Sequence, residues 1–229
     1  MKKILISQSN YIPWKGYFDS ISLVDEFIIY DDMQYTKRDW RNRNKIKTAQ
    51  GLKWLTIPVE VKGKYYQKIN ETKISDDKWN TKHWDVIKQN YSKATFFKEY
   101  KSFFEDLYLT MNYKYLSEIN YSFISTICDF FEIKTKIRFS SEFNLIGNPT
   151  EKLLNLCKDS NAKQYFTGPA AKKYLDEFLF NNNNVEVKYL DYNNYKYYKQ
   201  LYPPFRHDVS ILDLIFNEGI NAKKFLKFV

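Results

Sequence analysis

Residues 8–47, QSNYIPWKGYFDSISLVDEFIIYDDMQYTKRDWRNRNKIK, carry the punctuation that decides the fold. A short apolar run at 4–6 leads into a Pro and Gly turn at Pro13 and Gly16. An amphipathic stretch over 17–24 follows, then a second apolar run at 27–30. Apolar runs bounded by Gly and Pro read as strands and the amphipathic stretch as a helix, so the order is strand, turn, helix, strand. Polar residues gather just past both runs: Gln8, Asn10 and Trp14 after the first, Asp31, Asp32, Gln34, Lys37 and Arg38 after the second. In a parallel α/β sheet ligands bind outside the carboxyl ends of the strands, which is where these residues fall.

Working outward, the basic segment after the second run reaches a turn at Gln50-Gly51 and then LKWLTIPVEV, whose alternation predicts a third strand over 54–59. Residues 60–78 are polar and Lys-rich and read as a loop or hairpin with a short strand near 68–74. Helical spacing marks 79–91, 95–111 and 115–131, followed by a strand at 136–139 and a helix opening at Pro149-Thr150, with Thr150 as its cap. A strand at 164–167 ends in Gly168-Pro169. A helix at 170–176, a low-complexity turn at 181–184, a strand at 185–190 and two helices, 209–217 and 221–228, parted by Gly219, complete the chain. The expected fold is α/β: a Rossmann-like parallel sheet in one domain, its core about 1–75 and 135–229, with a mostly helical insertion about 79–132.

A length of 229 residues suits one large domain, and 44% hydrophobic with 28% charged residues is globular. Part of the excess carried by 20 Tyr and 18 Phe resembles the usage of an AT-rich genome and is discounted as a functional signal. Nothing approaches the roughly 18 apolar residues of a membrane span, and the N-terminus lacks a secretory pattern, so a cytoplasmic protein is expected. Cys128 and Cys157 have neither CxxC spacing nor a nearby His, and His83 and His207 are the only histidines; no cysteine- or histidine-based metal centre is expected. The net charge of +9 suggests an anionic partner, yet the only dense basic run is Lys37, Arg38, Arg41, Arg43, Lys45 and Lys47, suited to a phosphate or diphosphate.

Four constellations carry chemistry. In the first (Gln8, Asn10, Tyr11, Trp14, Gly16, Tyr17), Gly16 lets backbone approach a ligand at a helix N-terminus and Trp14 or Tyr17 stacks on a ring; the bland alternative is a tight turn covered by aromatics. In the second (Asp31, Asp32, Gln34, Lys37, Arg38, Asn42, Arg43), the paired carboxylates serve as general base or magnesium ligands. The alternative is a surface ion-pair loop, against which stand Tyr35 and Trp40 inside the charged run. The third places Trp79, His83, Trp84 and Tyr91 on one helix, read first as a packed face with a satisfied histidine. In the fourth, His207, Asp208, Ser210 and Asp213, a helix cap at Asp208 or Ser210 outweighs a triad. Thr167-Gly168-Pro169 is a candidate phosphate or sugar turn.

QSNYIPWKGYFDSI, DDMQYTKRDWRNRNKIKT and the later Leu55-Thr56-Ile57-Pro58-Val59 resemble the WbqC-like family, whose pattern runs HQPNYLPWxGYF, DDVQFxKRxWxNRNRI and LTVPV. The similarity extends through Trp84 and Thr167-Gly168-Pro169 to SILDLIFNEG; Ser7 and Ser9 replace the family's His and Pro. The resemblance implies a protein encoded among genes for O-antigen and other surface polysaccharides that acts on an activated sugar, with transfer of an acyl or aminoacyl group to an amino sugar as the expected reaction. A more distant likeness to pantothenate synthetase and its HxGH nucleotidylyltransferase relatives bears on fold alone, because Trp14 and Tyr17 stand where the two histidines would.

The combined expectation is a nucleotide-linked amino sugar with its diphosphate on Lys37, Arg38 and Arg43 and a ring on Trp14 or Tyr17. Asp31 or Asp32 acts as base and Gln34 and Asn42 orient; His83, Trp84, Thr167 and Gly168 complete the substrate-binding set. The cofactor is open: an acyl or aminoacyl donor, with ATP and magnesium the weaker alternative. Noncatalytic sugar or nucleotide-sugar binding is the runner-up, and nucleic acid enters only as a charged transfer RNA supplying an amino acid.

Overall fold

The structure, a computed structural model, describes residues 1–228. Strand β1 (Lys3–Ser7) is the middle of a five-stranded parallel sheet, and helix α1 (Lys15–Ser22) carries the chain to β2 (Glu26–Ile29) beside it. β3 (Arg43–Thr48) and β4 (Gly51–Thr56) form a separate antiparallel hairpin. Helices α2 (Trp79–Tyr91), α3 (Phe97–Leu109) and α4 (Leu116–Phe130) follow, then β5 (Lys136–Phe139) on the outer side of β2. Helix α5 (Pro149–Asp159) leads to β6 (Gln164–Thr167) on the other side of β1. Helix α6 (Glu177–Asn182), β7 (Glu186–Tyr189) and α7 (Ile211–Glu218) complete the order β5-β2-β1-β6-β7. The α/β parallel sheet with a helical middle is as the sequence predicts.

The two apolar runs explain why the sheet is covered on both faces. Consecutive strand residues point to opposite sides, so an unbroken apolar run needs a core above and below it. Leu5, Phe27 and Ile29 face a larger core with Phe18 and Ile21 of α1, Ile124 and Ile127 of α4, and Leu212 and Ile215 of α7. Ile4, Ile6 and Ile28 face a smaller one with Leu153 and Leu156 of α5 and Phe180 of α6. The chain lays β2 and β5 to one side of β1 and β6 and β7 to the other, so the direction of winding reverses between β1 and β6.

Several expectations shift. The basic run after Trp40 is half of a hairpin, with Arg43 and Lys45 alternating with buried Asn44 and Ile46, and this pairing draws the next strand back to 51–56. The short strand near 68–74 is a 3₁₀ turn, Ile69–Glu71, beside single bridges such as Val59 with Ile74. Asn148, not Thr150, caps α5: its side chain accepts from the amides of Thr150 (2.9 Å) and Glu151 (3.0 Å), and Glu151 accepts from the Asn148 amide at 2.8 Å. Residues 169–173 form a 3₁₀ turn rather than a helix, and α6, capped by Asp176, takes in the first half of the Asn-rich turn. Ser210 caps α7 as expected, but residues 219–225 are 3₁₀. No helix among the described residues is long and apolar enough to cross a membrane.

The C-terminal segment is fastened to the helical middle by Asp213 in α7, which is buried and accepts from Tyr91 Oη (2.8 Å), Tyr198 Oη (2.7 Å) and Gln200 Nε2 (2.9 Å). Asp213→Ala would leave the buried Tyr91 and Tyr198 hydroxyls without their acceptor, while Gln200 keeps the Arg206 carbonyl at 2.8 Å, and equilibrium urea unfolding should show a loss on the order of 3 kcal/mol.

Candidate functional site

Two cavities open near the carboxyl end of β1. The larger, about 810 Å³, lies where the winding reverses, between the ends of β1 and β6. Ser7 and Gln8 form one lip and Thr167 and Gly168 the other, because the chain leaves both strands here. Tyr17 of α1, Tyr30 after β2, Tyr174 and Tyr192 supply aromatic walls, and Thr150 and Lys152 come from the first turn of α5. Tyr17 is fixed by donating from its hydroxyl to the Gln8 carbonyl at 2.9 Å. A Cβ added at Gly168 would meet nothing within 4 Å, so this glycine borders open space. Among the described residues no carboxylate and no histidine lines this crevice. It offers stacking surfaces, an amide at Gln8, hydroxyls at Thr150 and Thr167, and one ammonium at Lys152.

The smaller cavity, about 270 Å³, is lined by Asn10, Pro13, Trp14, Trp40, Asn44, His207 and Asp208. It gathers the first turn, the start of the hairpin and the C-terminal segment. The Trp14 ring also packs edge-on against Tyr192 of the crevice, 5.3 Å between centroids, so the two cavities share an aromatic partition. Lys15 lies behind it with Nζ donating to the Lys196 carbonyl at 3.0 Å and resting 4.9 Å from the Tyr195 ring; burial lowers its pKa to about 8.

The turn that sets Trp14 is held from outside. Ile12 adopts φ 35°, a region that β-branched residues avoid, and Asn44 Nδ2 donates to the carbonyls of Tyr11 (3.1 Å) and Ile12 (2.9 Å). Gly16 acts differently from the sequence expectation. A Cβ there would lie 2.3 Å from the Trp14 indole, so the glycine makes room for that ring rather than for a ligand.

The remaining expected residues are dispersed. Asp31 is buried and accepts from the Ser9 amide (2.8 Å), Ser9 Oγ (2.6 Å) and Ser117 Oγ; burial raises its pKa, opposed first by these serines. Asp32 accepts from Ser140 Oγ (2.7 Å), Asn70 Nδ2 (3.3 Å) and Lys68 Nζ (3.3 Å). Gln34 donates to the Tyr65 carbonyl at 2.8 Å, and Asn42 is buried and donates to the Ile57 carbonyl at 2.8 Å. Lys37 and Arg38 are exposed, while the Arg43 guanidinium lies 4.1 Å from the Trp54 ring. None of these seven lines either cavity. Trp14, Asp31 and Arg38 therefore do not share a pocket, and the diphosphate cradle expected from Lys37, Arg38 and Arg43 is not assembled. Among the described residues no three His, Cys, Asp or Glu side chains cluster as a metal site.

Tyr11, His83 and Trp84 belong to the core. His83 Nε2 faces the Thr56 carbonyl at 3.1 Å and so must donate; Nδ1 then accepts from Tyr11 Oη at 2.8 Å, and Tyr11 accepts from Tyr108 Oη at 2.8 Å. Trp84 stacks on Phe97 and Tyr108 and donates to Glu105 Oε1 at 2.8 Å. Of the expected site residues, the structure thus places Gln8, Tyr17, Thr167 and Gly168 in the crevice and Asn10 and Trp14 in the smaller cavity. No local pattern marks Thr150, Lys152 or Tyr192 as ligand groups. Trp40 stood out only as an aromatic residue in a charged run, and His207 only beside a helix cap.

This architecture defines a doubly wound α/β protein with its principal crevice at the reversal point of the sheet. The chain belongs to the WbqC-like protein family, whose family model matches residues 8–225. It is similar to the uncharacterized protein Rv1507c of Mycobacterium tuberculosis, 49% identical over 228 residues, covering 100% of this chain and 99% of that protein. No solved structure matches it.

Two measurements probe this arrangement. Burial depresses the His83 pKa from 6.5 to about 4, so the unfolded chain takes up a proton before the folded one does, and stability falls as pH drops through that window. Urea unfolding at pH 7 and pH 5 should differ by about 2 kcal/mol from this source, and His83→Gln should flatten that part of the slope. Gly16→Ala should cost about 1–3 kcal/mol through overpacking and alter tryptophan emission as the Trp14 ring is displaced.

Proposed function

We propose that the chain binds a nucleotide-linked amino sugar in the crevice between β1 and β6 and serves the assembly of a surface polysaccharide, as an enzyme that acylates or aminoacylates the sugar amine. The observation that carries this reading is the position of the large cavity at the point where the parallel sheet reverses its winding. Its volume suits a ligand of several rings, Tyr17 and Tyr192 offer faces for a base or sugar, and Lys152 supplies charge for a phosphate. The family resemblance supports the polysaccharide setting.

For transfer, the amine attacks the carbonyl carbon of an activated acyl or aminoacyl donor; the new C–N bond replaces the bond to the donor's leaving group, which takes the amine proton. In this reading the chain contributes orientation, through Gln8 and Thr167, and exclusion of water by the aromatic walls. A second reading, nucleotide-sugar binding without turnover, is favoured by one specific observation: among the described residues no carboxylate or histidine lines the crevice to act as base.

Thermal unfolding with uridine and thymidine diphosphate amino sugars tests the binding. A ligand at 100 times its Kd adds about 2.7 kcal/mol, a rise of about 5–10 °C for a chain of this size. Lys152→Ala should weaken the ligand about tenfold through loss of a charge-assisted contact, whereas Lys37→Ala and Arg38→Ala should leave the affinity unchanged. No shift with any nucleotide sugar would refute the reading. Mass spectrometry of the sugar after incubation with acyl thioesters or aminoacyl donors then separates transfer, which adds the acyl mass, from binding alone.

A further inference from the structure

The smaller cavity has features of its own. Trp14 forms one wall and Trp40 another; Trp40 is 40% exposed and continues outward to Trp54, 41% exposed, with 5.3 Å between ring centroids. Large aromatic surface left in water beside a cavity is characteristic of a binding site rather than of a core. At about 270 Å³ the cavity falls below the usual volume for a drug-sized ligand and suits a single ring.

The polar groups around it narrow the chemistry. Asp208 is already engaged: Lys45 Nζ bonds one carboxylate oxygen, and Arg206 donates through Nε at 2.7 Å and Nη2 at 2.9 Å. Arg41 donates to Asn10 Oδ1, which leaves the amide hydrogens as the part of Asn10 available to a ligand. Asn44 is spent on the carbonyls of Tyr11 and Ile12. His207 differs: its ring packs 4.6 Å from Phe205 and 5.0 Å from Tyr197, its Nδ1 is closed off without a partner among the described residues, and the rest of the ring lines the cavity. No Lys or Arg lines the cavity; Lys45, Arg41 and Arg206 are held by the contacts just described, and Lys15, behind the Trp14 wall, is buried with its Nζ on the Lys196 carbonyl. A phosphate would find no free cation here.

Two indole faces, an amide donor, an imidazole edge and no free charge together match an uncharged sugar ring. Its C–H face carries slight positive charge and rests on an aromatic face, and its hydroxyls both donate and accept. We propose that the cavity between Trp14 and Trp40 is a carbohydrate subsite, separate from the nucleotide-sugar crevice, which takes one uncharged pyranose ring against the tryptophans with the His207 imidazole and the Asn10 amide as its polar contacts. Its place across the Trp14–Tyr192 partition makes it a station for a second saccharide rather than for the nucleotide.

Saturation-transfer NMR of the full chain with methyl N-acetylglucosaminide and methyl glucoside, neither carrying charge or phosphate, tests this directly. Ring protons of at least one glycoside should receive saturation, and tryptophan emission should change with the same concentration dependence. Trp40→Ala should weaken binding about tenfold and His207→Phe about threefold or more, with both variants keeping their melting temperatures and any nucleotide-sugar shift at the crevice. Absence of saturation with both glycosides, or transfer undiminished in both variants, overturns the proposal. Glycoside binding lost in Trp40→Ala without any nucleotide-sugar shift in the parent chain would uphold this subsite while removing the crevice reading.

Discussion

One buried carboxylate organises the functional end of the molecule. Asp31, at the end of β2, accepts the Ser9 amide and hydroxyl from the loop after β1 and the Ser117 hydroxyl from α4; Asn120 of α4 in turn donates to Ser9 Oγ and to the Arg41 carbonyl at 2.9 Å each. A carboxyl group taken out of water is tolerated only when its oxygens are met by donors, so four separate segments must arrive together for any of them to be in place. Ser9 lies between Gln8 of the crevice and Asn10 of the smaller cavity. The network therefore fixes the spacing of the two openings.

From that anchor the two cavities acquire different characters. The crevice is made by the sheet: wherever parallel strands separate to opposite sides, their ends leave a gap, and here Tyr, Thr and Lys152 furnish it. The smaller cavity is made by loops, from Pro13, the approach to the hairpin and the segment before α7. Trp14 belongs to both, lining one and packing on Tyr192 of the other, and Gly16 is the space its indole occupies. Such a shared wall is how one scaffold keeps two ligands close without merging their sites.

How legible this was depended on whether the determinant was local. The apolar runs at 4–6 and 27–30 mark strands covered on both faces, and the helical spacing of 79–91 and the strand at 136–139 agree with the structure residue for residue, because periodicity is a local signal. The hairpin is hidden in the sequence because Arg43, Lys45 and Lys47 look like a ligand-binding run until β4 is laid beside them, when their alternation with Asn44 and Ile46 becomes the pleat of a strand. Asp31 shows the same limit at the site. Nothing near it in sequence announces that Ser117, 86 residues away, turns a candidate base into a structural acceptor. Likewise His207 and Lys152 reach their cavities only through tertiary structure.

The backbone at Ile12 carries a last implication. A branched residue at φ 35° has no intrinsic preference for that shape, and the amide of Asn44 that steadies it comes from a hairpin strand 32 residues further on. The bend is thus borrowed geometry: an excised N-terminal piece containing β1, α1 and β2 would relax it, and with it the aim of Trp14. Grafting this loop onto another scaffold would transfer its letters without its form unless the hairpin travelled with it.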